Sequence, residues 1–311
     1  MRVGEMSGGT TIRVGSRESA LAVRQTELFL ETLRRVSGAP DFTLHTFKTT
    51  GDKIQTMSLR GIGGKGLFVK ELDEALLEGR IDMAVHSLKD IPVTLGSGIK
   101  IACFSRREDP RDVLILSEKL AKIAGLSVKN FLRDKNILRV GCSSKRRCLQ
   151  LEHLRPAWQT APVRGNVPRR LEKLDGGEFD ALILAASGLK RLGLTARISH
   201  YFEFDEMLPA AGQGILAATV REDAHFDFLS EASDKDSHAC AYAERAFIRE
   251  MGGDCSSPIA AYARMQSAQL ELHARFYSQE SGALCDASTR GIPEEAETLG
   301  IGLAAKMRTE S

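Results

Sequence analysis

Two stretches of this chain, Ile12-Arg13-Val14-Gly15-Ser16 and Leu138-Arg139-Val140-Gly141-Cys142, are built alike. In each, a short apolar strand ends on a glycine and a small side chain, then runs into a helical pattern carrying Ser and Arg. The match predicts two lobes of similar construction. Around both stretches, short apolar runs alternate with helical patterns, the signature of βαβ units and a mostly parallel sheet. The first series predicts strands at 11–14, 42–49, 83–85 and 99–104, with helices near 19–35 and 68–78. The second series starts near Val113 and predicts strands at 138–140, 159–164 and 181–185. A helix runs through Leu154, and Pro168 suits the first turn of another. The last third changes character. A helix at 237–251, strands at 259–264 and 270–276 and a helix at 294–306 suit a small α+β domain.

The bulk numbers fit this division. A length of 311 residues exceeds one ordinary domain. Hydrophobic residues at 42% and charged residues at 27% are those of a soluble globular protein. The formal charge of +2 requires that any preference for acidic ligands come from local clusters of Arg and Lys. Near-neutral charge and 6% aromatics argue against a nucleic-acid-binding module, which needs an extended basic face with stacking rings. No apolar run reaches bilayer length. Residues 1–10 are small, polar and Gly-rich, without the apolar core of a signal peptide. They read as a disordered tail on a cytoplasmic protein. The six cysteines form no CxxC pair and no zinc-like Cys/His spacing, and are expected as free thiols.

In open α/β sheets, ligands bind beyond the carboxyl ends of the strands. Several basic clusters fall there: Gly15-Ser16-Arg17-Glu18-Ser19, His86-Ser87-Leu88-Lys89-Asp90, Ser143-Ser144-Lys145-Arg146-Arg147 and Arg164-Gly165-Asn166. Some also lie at predicted helix N-termini, where free N–H groups favour anions. Together they describe a positive cleft between two lobes that holds a polyanionic ligand. The segment Gly61-Ile62-Gly63-Gly64-Lys65-Gly66 is not a P-loop, because it lacks the first glycine and has Gly66 where a magnesium-binding hydroxyl belongs. Asp90 could steady a cation or accept a proton; residue type alone equally fits a loop aspartate that caps or turns. Cys255, in a glycine-flanked loop, is an accessible thiol by the same reading, or else an inert loop cysteine.

At these residues the chain resembles the porphobilinogen deaminase (hydroxymethylbilane synthase) family, from about Ile12 to Met307. The resemblance rests on Gly63-Gly64-Lys65-Gly66-Leu67-Phe68-Val69-Lys70-Glu71-Leu72, Ala84-Val85-His86-Ser87-Leu88-Lys89-Asp90-Ile91-Pro92 and Arg107-Glu108-Asp109-Pro110-Arg111-Asp112. It also rests on Arg164-Gly165-Asn166-Val167, Leu208-Pro209-Ala210-Ala211-Gly212-Gln213-Gly214 and Gly252-Gly253-Asp254-Cys255-Ser256-Ser257-Pro258-Ile259. It implies a transferase that condenses four porphobilinogen molecules on a covalent dipyrromethane cofactor and releases hydroxymethylbilane. Asp90 then matches the catalytic aspartate and Cys255 the residue that holds the cofactor by a thioether. Lys89, Ser144, Arg146, Arg147, Arg170 and Arg191 match cofactor-binding positions, and Arg17, Ser19 and Arg164 substrate-binding ones. Lys65 and Phe68 match a mobile loop over the site, and Gln213 the hinge between lobes.

The implied fold is α/β, two doubly wound lobes like those of periplasmic binding proteins plus a small C-terminal α+β domain. The expected division is a tail at 1–10, domain 1 at 11–106 and 214–232, domain 2 at 107–213 and domain 3 at 233–311. A cytoplasmic monomer needing no metal or nucleotide, with no nucleic-acid or membrane partner, completes the expectation. Some positions depart from the family pattern. Gly61 stands where a loop lysine is found in some members, with Arg60 beside it. Cys142 and Lys145 replace a common Thr and Leu, which puts an oxidisable thiol near the cleft. Asp254 replaces the glycine before the cofactor cysteine, where its charge disfavours a thiolate. The alternative reading is a non-catalytic two-lobed solute-binding protein for an anionic ligand, which forms no covalent adduct and does not need Cys255.

Overall fold

The computed structural model of the chain describes residues 11–49, 69–124, 137–254, 257–278 and 282–309. The expected tail at 1–10, the Gly-rich loop with Lys65 and Phe68, and Cys255 all lie outside the described residues.

The first lobe is built on β1 (Thr11–Arg17), α1 (Ala20–Leu33), β2 (Asp41–Phe47), α2 (Lys70–Leu77), β3 (Met83–Ser87) and β4 (Ile99–Phe104). The chain then crosses to the second lobe. That lobe comprises β5 (Asp112–Leu116), α3 (Glu118–Ala124), β6 (Arg139–Gly141), α4 (Lys145–Leu154), β7 (Gln159–Ala161), α5 (Val167–Asp175), β8 (Ala181–Ala185), α6 (Ala186–Arg191) and β9 (His200–Tyr201). It returns through β10 (Leu216–Arg221) and α7 (Asp227–Ala232). The last part is α8 (Lys235–Glu250), β11 (Ile259–Gln266), β12 (Gln269–Tyr277), β13 (Leu284–Gly291) and α9 (Ala296–Thr309).

The two large sheets have the same plan, β2-β1-β3-β10-β4 in one and β7-β6-β8-β5-β9 in the other. In each, three strands pair in parallel and the fourth in order is antiparallel to both its neighbours. The mostly parallel expectation is thereby refined: one reversed strand sits inside each sheet. Those reversed strands, β5 and β10, are the first strands after each crossing, so each arrives from the opposite lobe. The similarity of the two opening stretches has a concrete cause. Arg13 N–H donates to Asp82 Oδ2 at 2.9 Å, and Arg139 N–H to Asp180 Oδ2 at 2.8 Å, so the same anchor ties β1 to β3 and β6 to β8. A Cβ on Gly15 would lie 2.4 Å from Ile81, and one on Gly141 2.5 Å from Leu182. Both glycines let a neighbouring apolar side chain close over the strand.

The crossovers touch. Glu108 N–H donates to Gly214 carbonyl at 3.1 Å, and Gly214, at φ +93°, has no room for a side chain because Glu108 O lies 2.3 Å from where Cβ would be. The antiparallel three-stranded sheet β11-β12-β13 packs with α8 and α9 around Phe247, Leu270, Leu272 and Leu303. The architecture is two α/β lobes and a small C-terminal α+β unit.

Several boundaries move, each for a local reason. β7 stops at Ala161 rather than 164, because Pro162 has no N–H to give and Ser143 Oγ bridges the N–H (3.0 Å) and carbonyl (2.7 Å) of Val163. The helix expected at 237–251 begins two residues earlier, since Asp234 caps it by accepting from Ser237 N–H at 2.8 Å. The last helix starts at Ala296 and runs to Thr309, after a 3₁₀ turn over Pro293–Glu295.

Candidate active site

In the first lobe, β1 ends at Arg17 and the next helix begins on Ser19, whose Oγ accepts from Ala22 N–H at 3.3 Å. β3, apolar and buried through His86, gives way to a 3₁₀ turn over Leu88–Asp90. Leu88 N–H donates to Ile215 carbonyl at 3.0 Å, so the turn is pinned to the returning crossover. This sets Lys89 and Asp90 at the strand's carboxyl end, facing the gap between lobes.

The second lobe supplies the opposite wall. Ser144 is the N-cap residue of α4, and Arg146 and Arg147 occupy its first turn, both buried. Arg146 Nη1 donates to Asp112 Oδ2 and to Leu208 carbonyl, each at 2.7 Å. Arg147 donates through Nε (3.0 Å) and Nη2 (2.7 Å) to Asp112 Oδ1. Asn166 caps α5 by accepting from Arg169 N–H at 3.0 Å, and Arg170 Nε holds Gly165 carbonyl at 2.8 Å. Arg191, in the last turn of α6, donates from Nη2 to Gly214 carbonyl at 2.6 Å.

Two cavities result. The larger, about 650 Å³, is lined by Arg17, Ser19, Lys48, Arg164, Arg170 and Arg191, among others. The smaller, about 200 Å³, is lined by Ser144, Arg146, Arg245, Asp254 and Ser257. Lys89, Asp90 and Arg147 line both, so the sequence-expected carboxylate stands where the two cavities meet. Burial pushes the Arg170 and Arg191 guanidinium groups down to about 10. Burial, followed by repulsion from Arg147, brings Lys89 down to about 8. A wall of desolvated cations is stabilised by any anion that enters.

The structure therefore brings Arg17, Ser19, Lys89, Asp90, Ser144, Arg146, Arg147, Arg164, Arg170 and Arg191 to one site. Cys255 is outside the described residues, but its neighbours Asp254 and Ser257 line the smaller cavity, where Ser257 Oγ donates to Asp254 Oδ1 at 3.0 Å.

Comparison with known families decides the assignment. The family described as "Porphobilinogen deaminase, dipyromethane cofactor binding domain" matches residues 12–226, and "Porphobilinogen deaminase, C-terminal domain" matches 238–309. The chain belongs to the porphobilinogen deaminase family. Relatives include the porphobilinogen deaminase of Ruminiclostridium josui, 45% identical over 96% of this chain and 98% of that one. That of Acetivibrio thermocellus is 46% identical over 95% of this chain and 97% of its own. Among solved structures, the second substrate binding domain of a putative amino acid ABC transporter from Streptococcus pneumoniae is similar in outline. It has TM-score 0.44 and 11% identity, and the match covers 72% of this chain and 91% of that one.

Dipyrromethane is the cofactor of the porphobilinogen deaminase family, and its acidic side chains suit a cavity walled by Lys89, Arg147, Arg170 and Arg191. Sequence reasoning missed three parts of this site. Asp112 is fully buried beneath Arg146 and Arg147, and in the sequence it stands only as the last residue of a motif. Gln213, read as a hinge residue, accepts from Lys89 Nζ at 3.3 Å. Arg245 of α8 donates to the carbonyls of Ile91 (3.2 Å), Pro92 (2.7 Å) and Val93 (3.1 Å), bracing the segment after Asp90. Asp112 was legible as the end of Arg107-Glu108-Asp109-Pro110-Arg111-Asp112; nothing local marks Arg245. Cys142 is buried, with its Sγ 3.7 Å from Ser144 carbonyl, and lines neither cavity. A hydrogen bond from Cys148, then the charge of Arg147, lower its thiol below the usual range.

Proposed function

We propose that the reaction runs at the junction of the two cavities, with Asp90 as the catalytic carboxylate and Cys255 as the residue that carries the cofactor. The family's activity is that of a transferase, hydroxymethylbilane synthase: deaminating condensation of four porphobilinogen molecules and hydrolytic release of the linear tetrapyrrole. The observation that carries the residue assignment is that Lys89, Asp90 and Arg147 line both cavities. When bound, the dipyrromethane supplies the nucleophilic pyrrole carbon from which the chain grows.

The roles follow from charge. Porphobilinogen brings two carboxylates, and Arg17, Arg164 and Ser19 are disposed along the larger cavity to hold them. Lys89, Ser144, Arg146, Arg147, Arg170 and Arg191 hold the acidic groups of the cofactor side. Asp90, at the junction of the two cavities, faces the positive charge that develops on the incoming pyrrole as ammonia leaves, and a carboxylate placed there stabilises it. A residue able to accept the proton lost after carbon–carbon bonding is then in place at the same carboxylate. Lys65 and Phe68, outside the described residues, are assigned by the family resemblance to the loop that covers the active site. The domain limits proposed are 11–106 with 214–232, 107–213 and 233–311, so each large sheet falls in one domain. The protein acts as a cytoplasmic monomer; among the described residues no helix is long and apolar enough to cross a membrane.

The deciding experiment is intact mass under denaturing conditions. Wild type, after incubation with porphobilinogen, is expected to carry at least two condensed pyrrole units that Cys255→Ser lacks. Asp90→Ala, folded by circular dichroism, is expected to release no ammonia. A wild-type mass that stays unmodified after porphobilinogen sinks the reading, and an adduct on Cys255→Ser moves the attachment elsewhere.

A further inference from the structure

Asp112 stands at the start of β5, wholly buried, and is held by three side chains from two elements. From α4 come Arg146 at 2.7 Å and Arg147 at 2.7 and 3.0 Å. From the returning crossover comes Gln213, whose Nε2 donates to Asp112 Oδ1 at 2.9 Å and to Pro110 carbonyl at 2.6 Å. With its amide nitrogen so committed, Gln213 turns its Oε1 toward the first lobe, where it accepts from Lys89 Nζ at 3.3 Å. An unbroken chain therefore runs from the second-lobe arginines through Asp112 and Gln213 to the residue beside Asp90.

We propose that Asp112 is a positioning residue: through Gln213 it fixes the Lys89 ammonium next to Asp90, and directly it fixes Arg146 and Arg147, so that one buried carboxylate sets three site cations at once. The proposal rests on the reading of Lys89 and Asp90 as site residues. The geometry gives Asp112 two effects. It offsets the mutual repulsion of cations that would otherwise face one another around the cavities. It also orients the Gln213 amide, since a carboxylate at Nε2 leaves only the oxygen for Lys89. The charged groups acting on Lys89 are Arg147 and Arg146 from α4, Asp112 from β5 and Asp90 on its own turn. The two carboxylates favour its ammonium form and the two guanidinium groups oppose it.

The test reads the protonation of Lys89 and not turnover. Trace acetylation with acetic anhydride across pH, followed by mass spectrometry of the Lys89 peptide, gives a labelling midpoint, expected at about 8 in the full-length wild type. Asp112→Asn keeps the shape and removes the charge; Gln213→Met leaves the ion pairs and cuts the link to Lys89. Both are expected to lower the midpoint, by roughly half a pH unit or more. If Asp112→Asn does not fold, Gln213→Met alone decides. A midpoint unchanged in either folded variant overturns the proposal, including the case in which Asp112→Asn merely melts earlier. Labelling reports Lys89 whether or not pyrroles are condensed, so its failure is separate from that of the mass experiment.

Discussion

His86 belongs to the same short run as Lys89 and Asp90, yet it lines neither cavity. It is buried in β3, with Nε2 3.1 Å from Thr219 Oγ1 of β10. Burial, and after it the charge of Arg17, push its pKa down from 6.5 to about 4. The native state therefore refuses a proton that the unfolded chain accepts. Stability is full above about pH 6.5, falls as pH drops toward about 4, and levels off below that, a loss of up to about 3 kcal/mol. Urea unfolding between pH 4 and 7 checks this, and His86→Gln, which never charges, is expected to flatten the slope. An equal slope in the variant assigns the acid sensitivity to other groups. The contrast with Asp90 marks what single residues disclose. Polar residues past a strand's end were legible as site residues because the α/β architecture sends them to the cleft. Asp112 is legible only as the end of a motif; its pairing with Arg146 is not, since the two lie 34 residues apart and no local pattern joins them.

At the scale of elements, legibility followed hydrophobic pattern. β4 and β8 were read residue for residue because both are nearly unbroken apolar runs. β13, Leu-Cys-Asp-Ala-Ser-Thr-Arg-Gly, was missed: it is half-exposed and short of β-branched or aromatic residues, and it exists because β12 offers it a full ladder. The pairing of α8 with α9 was equally hidden. Gly300 of α9 faces α8 so closely that a Cβ there would lie 2.3 Å from Ala243 carbonyl and 2.9 Å from Phe247 nitrogen. Backbone cannot step aside as a side-chain tip can. Gly300→Ala is expected to destabilise by roughly 1–3 kcal/mol, the usual range for overpacking. Gly302, two positions on and exposed, meets nothing within 4 Å. Gly302→Ala is expected to stabilise by roughly 0.5–1 kcal/mol through helix propensity alone. Thermal unfolding of the two variants should move in opposite directions, and a common direction would mean that packing is not what separates them.

The whole molecule depends on what happens where its three units meet, and there a second buried carboxylate does for the crossovers what Asp112 does for the site. The paired lobes were foreseeable from the two opening stretches, but not that each sheet would take its reversed strand from the chain's passage between them. Glu244 of α8, fully buried, accepts from Arg107 Nη2 (2.7 Å) on the outgoing crossover, Gly212 N–H (2.6 Å) on the returning one and Ala263 N–H (2.7 Å) in β11. Arg107 Nη1 donates in turn to Ala263 carbonyl at 3.2 Å, and its guanidinium lies 5.3 Å from the Tyr262 ring centroid. Both crossovers are thereby tied to the C-terminal unit at one point. Glu244→Gln strips the counter-charge from a buried arginine and is expected to cost about 3–5 kcal/mol. Arg107→Met leaves the carboxylate buried without its cation and should cost about as much. In the double variant neither charge is stranded, so its loss should fall short of the summed single losses by roughly 1 kcal/mol or more. Urea unfolding of all four proteins closes the cycle. Additive losses would show that the crossovers and the C-terminal unit are held together by their backbone contacts, with the ion pair contributing nothing of its own.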